Sequence, residues 1–322
     1  MRMLRLALFF LCAGLVVSRA GLLVHEGLGH GGVALALGGS VREVTLFWFG
    51  GGWVRTFTPP GDLRLLAVQL AGIGAELLVA AVLGLLAHRW AGQQRARLAQ
   101  LGAVLFTAHA LWYAATGIWH GFGDGAFLHE RLGQLRYPVA LALGAALCAV
   151  ALLATRRLCR VLAPSLCGPW PSRLAAVLAA AALAGGAHAA LAYGELALRQ
   201  DETYRLTMRT AEQRLEDERL AAWRAELARR GAILIRQEDL LRAQKLAPPR
   251  PFPFARVLAA VALAAVVLGA WSLRRSEPGT PGEPGTPGTP SSELGAPLSN
   301  ATLAWAAVAA FAAVSVVALA GL

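Results

Sequence analysis

The stretch VHEGLGHGGVALALGG, residues 24–39, places ionisable side chains inside an apolar run. His25, Glu26 and His30 lie within it, although lipid strongly disfavours such groups. Ionisable residues inside a span usually face a protein interior or a cavity, and they usually mark function. The stretch therefore predicts a polar site within a membrane-embedded helix.

The composition of the whole chain is that of a membrane protein. The 322 residues are 57% hydrophobic and only 15% charged. We expect an all-α polytopic membrane protein with about seven transmembrane helices, each of about 20 apolar residues, or an eighth if the first run is split at Arg19. The predicted spans are residues 4–38, 62–87, 98–118, 136–155, 174–194, 254–272 and 299–320.

The net charge of +11 comes mainly from arginines that lie between the apolar runs and in one polar segment. Arginines in short loops favour the cytoplasmic side, which predicts a cytoplasmic N-terminus and an outward-facing C-terminus. Since no folded basic face is visible, we expect the lipid bilayer as a partner and no nucleic acid. The bias towards Ala, Gly and Arg favours a bacterial source and therefore the bacterial inner (cytoplasmic) membrane.

Two internal segments depart from the pattern of the spans. In residues 40–61, β-branched and aromatic residues surround three glycines and two prolines follow, which predicts a short β-hairpin or re-entrant loop. The charged, Ala- and Leu-rich segment 195–247 predicts a long extramembrane helix that Gly231 could interrupt. This helix would either lean on the membrane domain or form an arm that gates substrate or binds a protein partner. The expected units are a membrane core (1–135), added spans (136–194), a charged helical arm (195–253), a span (254–272), a Pro/Gly/Thr-rich linker (273–298) and a C-terminal span (299–322).

His25 and His30 are five residues apart, in the pattern His-Glu-x-x-x-His. In a regular α-helix, residues five apart lie about 140° apart around the axis, so the two imidazoles would face different neighbours. A π-bulge absorbs one extra residue and would return both rings to one face. The surrounding glycines make such a distortion easy. If the two histidines share a metal, we expect a π-bulge at residues 27–29.

A zinc ion suits this pattern, because neutral imidazoles supply two ligands and a third side chain completes an open site. Glu26 would then act as the general base on a water. The third ligand should come from another helix end, and Asp124 in GIWHGFGDGAFL is the best candidate because glycines there break the helix. Its competitors are His109, His120 and His129. Without a metal, the two histidines would simply form hydrogen bonds at a Gly-rich helix contact.

Glu76 in LAGIGAELLVAAVL is a second carboxylate within an apolar run. It could hydrogen-bond a ligating histidine and so orient it. It could equally pair with an arginine. The sequence leaves both interpretations open.

Residues 10–135 resemble the site-2-protease-like intramembrane zinc metallopeptidases. The helix with HEGLGHGGVALALGG resembles the family's HE-x-GH helix, LAGIGAEL resembles its AGP-containing helix, and GDG resembles its LDG motif. The resemblance implies that His25, His30 and Asp124 bind zinc and that Glu26 is the catalytic base. The chain departs from the family by the extra residue between the histidines, by Ile73 in place of proline, by Gly123 in place of leucine, and by the lack of an Asn-x-x-Pro motif before Asp124.

The expected function is that of an intramembrane zinc-dependent metalloendopeptidase, a hydrolase of transmembrane or membrane-proximal peptide bonds. Its substrate would be another membrane protein. One alternative is a non-catalytic membrane protein whose degenerate metal site acts in assembly or regulation. Another is a transporter that uses the intramembrane histidines and glutamates as a path for protons or metal ions.

Overall fold

The computed structural model of the protein describes residues 2–91, 94–162, 169–229 and 252–271. The membrane core comprises α1 (Arg2–Leu22), a π-helix (Leu23–Gly31), α2 (Gly32–Ala36), β1 (Ser40–Leu46), β2 (Gly52–Phe57), α3 (Asp62–Arg89), α4 (Gln94–His120) and α5 (Gly125–Leu132). After a 3-10 turn (Gly133–Leu135), the remaining elements are α6 (Arg136–Leu162), α7 (Trp170–Arg199), α8 (Glu202–Thr207), α9 (Ala211–Arg229) and α10 (Phe254–Ala270).

Five helical stretches are long and apolar enough to cross a membrane, so the chain is a multi-pass membrane protein. They correspond to the first five predicted spans. The sixth predicted span is an apolar helix of 17 residues, α10, which is shorter than the usual span of about 20 residues. The seventh, 299–320, lies outside the described residues, and a count of seven is not confirmed. The five stretches are Met3–Ala36, Asp62–Arg89, Leu98–His120, Gly125–Cys159 and Trp170–Arg199.

Large apolar side chains cover the outside of these helices. Leu63, Leu85 and Leu198 are 80%, 71% and 87% exposed in the isolated chain. A soluble protein rarely shows an apolar surface of this extent. In a bilayer the same side chains would contact lipid, while smaller clusters hold the helices together, such as Leu147 and Leu258 between α6 and α10.

The hairpin expected in residues 40–61 is confirmed. Strands β1 and β2 pair antiparallel, with Val44 opposite Val54 and Thr45 opposite Trp53. The register slips between Val41 and Glu43, which is the signature of a bulge.

Two buried charges hold the tip of the hairpin against the membrane helices. Arg19 of α1 donates to the carbonyl oxygens of Phe47 and Gly50, each at 2.6 Å. The carboxylate of Glu195 in α7 accepts the backbone N–H groups of residues 48–50 at 2.6, 2.6 and 3.0 Å. A backbone without regular pairing is tolerated at membrane depth only where protein groups satisfy it. Arg19 and Glu195 provide those groups for this loop.

The segment that follows the fifth span differs from the prediction of one long helix. α7 continues to Arg199, so the first charged residues belong to the apolar helix. Gln200 adopts a left-handed conformation (φ 49°), which ends α7, and the side chain of Asp201 then accepts the N–H of Tyr204 at 2.7 Å and caps α8.

A second break separates α8 from α9. The hydroxyl of Thr210 accepts the N–H of Gln213 at 3.2 Å, and the side chain of Gln213 accepts the N–H of Thr210 at 3.0 Å. This reciprocal capping box is a helix start signal. The single-helix prediction is therefore wrong over residues 195–229, while Gly231 lies outside the described residues.

Candidate metal centre

The π-helix required by the histidine spacing is confirmed. It runs from Leu23 to Gly31 and brings the rings of His25 and His30 to a centroid distance of 5.0 Å. Gly29 allows it to approach α3 closely, because a Cβ at that position would lie only 2.6 Å from the Cα of Gly72. The glycines therefore permit both the distortion and the packing that positions the histidines.

Both histidines direct their Nε2 atoms at one carboxylate. Nε2 of His25 lies 2.9 Å from Oδ2 of Asp124, and Nε2 of His30 lies 3.2 Å from Oδ1. All three side chains are buried, and their ligand atoms lie within 4.8 Å of one another. A tetrahedral zinc with bonds of about 2.0–2.1 Å keeps its ligand atoms about 3.3 Å apart. The three residues could therefore hold a metal ion of this size.

The other ring nitrogens fix the tautomer of each histidine. Nδ1 of His25 donates to Oε1 of Glu76 at 2.9 Å, and Nδ1 of His30 donates to the carbonyl oxygen of Val68 at 2.6 Å. A neutral imidazole has only one N–H, so in the neutral form Nε2 of each ring would present a lone pair towards Asp124. This is the tautomer that a metal ligand requires.

The environment of the Asp124 carboxylate also fits a bound cation. Its Oδ2 atom is buried and has no hydrogen bond, although Nε2 of His25 is 2.9 Å away. With neutral rings, two lone pairs would face this buried carboxylate, whereas buried polar atoms normally have a partner. A metal ion between the three groups removes both problems, and for zinc it leaves a fourth position open.

Glu26 lies beside this group without a partner of its own. It is buried, and its carboxylate interacts electrostatically with His25, His30 and Asp124. Among the residues that the structure describes, it makes no hydrogen bond or ion pair. A carboxylate in this position is free to accept a proton from a water held by the three ligands.

Glu76 hydrogen-bonds His25 and not an arginine. Of the two interpretations of this carboxylate, the one in which it orients a histidine is therefore confirmed. Its side chain is 1% exposed, and its second oxygen accepts from Nδ1 of His109 at 2.8 Å. The ring of His109 stacks on Tyr113, whose own ring meets His25 edge-on at 5.6 Å. No sequence pattern singles out Tyr113, since an aromatic residue in an apolar helix usually belongs to the hydrophobic core.

Glycines shape the turn that carries Asp124, as the sequence predicted. Gly121 and Gly123 have φ of +67° and +51°, a region that other residues rarely adopt. A side chain at Gly123 would also overlap the hydroxyl of Tyr113. The turn therefore lets the backbone pass close to α4 and brings Asp124 to the π-helix.

The competing third ligands lie elsewhere. His109 binds Glu76 as described. His129 donates from Nδ1 to the carbonyl oxygen of Ile118 at 2.9 Å, and Nδ1 of His120 lies 4.0 Å from Glu212. Of the four candidates, the structure places only Asp124 with His25 and His30.

Comparison with known proteins adds no family to this geometry. No family model matches the chain, and no match was found among curated proteins or solved structures. The fold and the site define a multi-pass helical membrane protein with a buried His-His-Asp group that could hold a metal ion.

Proposed function

We propose that the protein is a membrane-embedded, zinc-dependent metalloendopeptidase that cleaves transmembrane or membrane-proximal peptide bonds of a membrane-protein substrate. The observation that carries the proposal is the convergence of two imidazole Nε2 atoms on the buried carboxylate of Asp124. The unpartnered carboxylate of Glu26 beside them supplies the base that hydrolysis needs.

His25, His30 and Asp124 would hold the zinc ion. When bound, zinc lowers the pKa of a water and polarises a carbonyl group. The carboxylate of Glu26 would accept one proton from a water whose oxygen attacks the carbonyl carbon of the scissile bond. Glu26 then gives that proton to the departing amide nitrogen, so that the peptide bond breaks into a carboxylic acid and an amine.

The resemblance to the site-2-protease-like family supports the same proposal. The main departure of this chain from the family is the extra residue between the histidines. The π-helix accommodates one extra residue in each turn. His25 and His30 are therefore placed as a histidine pair four apart on an α-helix would be.

The position of the site supports a substrate that comes from the bilayer. His25 and His30 lie in the Met3–Ala36 stretch, and Asp124 lies between the Leu98–His120 and Gly125–Cys159 stretches. A peptide bond that reaches this group must be near or within the membrane. We place the protein in the bacterial inner membrane on the residue bias and arginine distribution of the chain.

The test compares cleavage and zinc content in matched variants. The purified protein in detergent is incubated with a library of fluorogenic transmembrane peptides. Glu26→Gln should retain zinc and lose cleavage, because the amide cannot accept the proton. Glu43→Gln, at an exposed carboxylate of the hairpin paired with Arg55, is the control and should retain both.

Two results would contradict the proposal. If Glu26→Gln cleaves as fast as the wild type, Glu26 is not the base. If the wild type holds zinc and cleaves no member of the library, the metal site belongs to a non-catalytic protein.

A further inference from the structure

Residues 201–212, which follow the fifth span, lie across the two edges of the metal centre. We propose that this segment is a lid that occupies the substrate cleft of the site, so that a peptide enters only when the lid leaves. The proposal rests on the proposed function, because it assigns a regulatory part to the same site. It also gives a role to the charged segment that the sequence left open.

The first edge of the cleft is the hairpin. The indole N–H of Trp53 donates to the carboxylate of Asp201 at 3.3 Å. The ring of Tyr204 packs edge-on against Phe47 at 5.1 Å. Gly51 leaves the space for that ring, because a Cβ at this position would lie 2.7 Å from it. The start of the lid is therefore seated in a hollow of the hairpin.

The second edge is the turn that carries Asp124. The N–H of Gly123 donates to the carbonyl oxygen of Thr207 at 3.1 Å. A Cβ at Gly121 would lie 2.9 Å from the Cβ of Ala211. The end of the lid therefore contacts the backbone immediately before a proposed metal ligand.

The metal centre adjoins both edges, because β2 packs on the π-helix that carries His25 and His30, and Asp124 lies in the turn. Tyr204 is close enough to Glu26 for their charges to interact. Burial raises the pKa of the Tyr204 hydroxyl, so this hydroxyl stays neutral near the proposed base. A peptide that is to reach Glu26 from this side would have to displace Tyr204.

The contacts of the lid also indicate what could replace it. The cleft offers an N–H for a backbone carbonyl, a hollow for an aromatic ring, and an indole N–H for a carboxylate. All three groups occur in polypeptides, and a backbone carbonyl occurs in every one. The chemistry of the cleft therefore matches a peptide chain, which is the substrate class of the proposed function.

The lid is held by few groups. α8 has six residues, of which none is fully buried, although the ring of Tyr204 enters the hairpin. Segments with few buried contacts open at low free energy while the rest of a protein stays folded. The lid can therefore leave without unfolding the spans.

A reversible cross-link tests the lid. The double variant Gly121→Cys/Ala211→Cys places two Cβ atoms close to the separation of about 3.5–4.5 Å that a disulfide needs. Oxidation should lock the lid and reduction should release it, with mass spectrometry reporting the bond. The single variant Gly121→Cys, oxidised and reduced in parallel, controls for the strained position and for the natural cysteines.

Three readouts are measured on the oxidised and the reduced double variant. Hydrogen exchange at the N–H of Gly123 should slow by about tenfold or more in the locked form, because this group is freed only when the lid leaves. Extraction of zinc by a chelator should slow with it. Cleavage of the transmembrane peptides should be lost on oxidation and regained on reduction.

The outcomes separate the two proposals. If oxidation leaves amide exchange at Gly123 unchanged, or leaves cleavage intact, the lid proposal is wrong. The zinc-binding proposal is not affected by that result. If the wild type binds no zinc, the proposed function fails, and the exchange of Gly123 still decides whether the segment opens.

Discussion

Replacement of Glu76 by alanine should weaken zinc binding without touching a ligand. Glu76 is buried and its Oε1 accepts the Nδ1 proton of His25 at 2.9 Å, which leaves Nε2 free for the metal. Loss of such a partner costs about 10–100-fold in metal affinity. At about 1.4 kcal/mol per tenfold, this equals about 1.4–2.8 kcal/mol.

Glu76→Gln is the matched variant, because its amide oxygen can still accept from His25 while the negative charge is lost. We expect it to lose less affinity than Glu76→Ala. His109→Ala removes only the second partner of Glu76, which is an exposed ring, and should have the smallest effect. This order follows from the distance of each change to Nε2 of His25.

The assay is a competition for zinc between the detergent-solubilised variants and a chromophoric chelator. The dissociation constants give the free-energy differences directly. Near-ultraviolet circular dichroism of each variant verifies the fold. If Glu76→Ala binds zinc as tightly as the wild type, Glu76 does not orient a ligand and the assignment of His25 weakens with it.

Three further changes test the packing around the site. Gly72→Ala should abolish stoichiometric zinc, since its Cβ would lie 2.5 Å from Nε2 of His25, whereas Gly74→Ala meets nothing within 4 Å and should retain it; equal zinc contents would contradict the close approach of α3. Arg19→Met should lower the free energy of unfolding in detergent by about 1–3 kcal/mol, because the carbonyl oxygens of residues 47, 49 and 50 lose their donor, and an unchanged denaturation midpoint would refute the role of Arg19 at the hairpin tip. Chelation of zinc held at about 100 times its dissociation constant should remove about 2.7 kcal/mol of stability, and a melting temperature that does not fall would show that no zinc binds the folded state.

The sequence was sufficient for the parts of the site that are local. The five-residue spacing of His25 and His30 requires a π-turn if they share a metal, and the π-helix is present. The glycines around Asp124 predict a turn in which the backbone comes close to another element, and the turn passes close to α4. Patterns of this kind depend on backbone geometry within a few residues, so a single sequence carries them.

The partners across the fold were beyond the sequence. Glu76 could have paired with an arginine, and only the packing of α3 on the π-helix and α4 decides for His25 and His109. Tyr204 lies far along the chain from Glu26, and no local pattern places it over the hairpin. Such contacts depend on how helices pack in three dimensions.

The breaks between α7, α8 and α9 do have local signals in the sequence, but the composition of the segment favoured one continuous helix. The capping box formed by Thr210 and Gln213 can be read in the sequence, and so can the N-cap Asp201. The Ala- and Leu-rich composition of the segment favoured continuous helix instead. Composition reports average propensity, whereas a cap satisfies specific N–H groups at one position, and here the caps decide where the helices begin.

Zinc analysis of the purified protein tests the metal centre most directly. Elemental mass spectrometry should find one zinc per chain in the wild type, and almost none in Asp124→Ala or His25→Ala, while Glu43→Gln keeps its zinc. If the wild type contains no metal after purification with zinc present, or if Asp124→Ala keeps a full equivalent, His25, His30 and Asp124 do not form a zinc site.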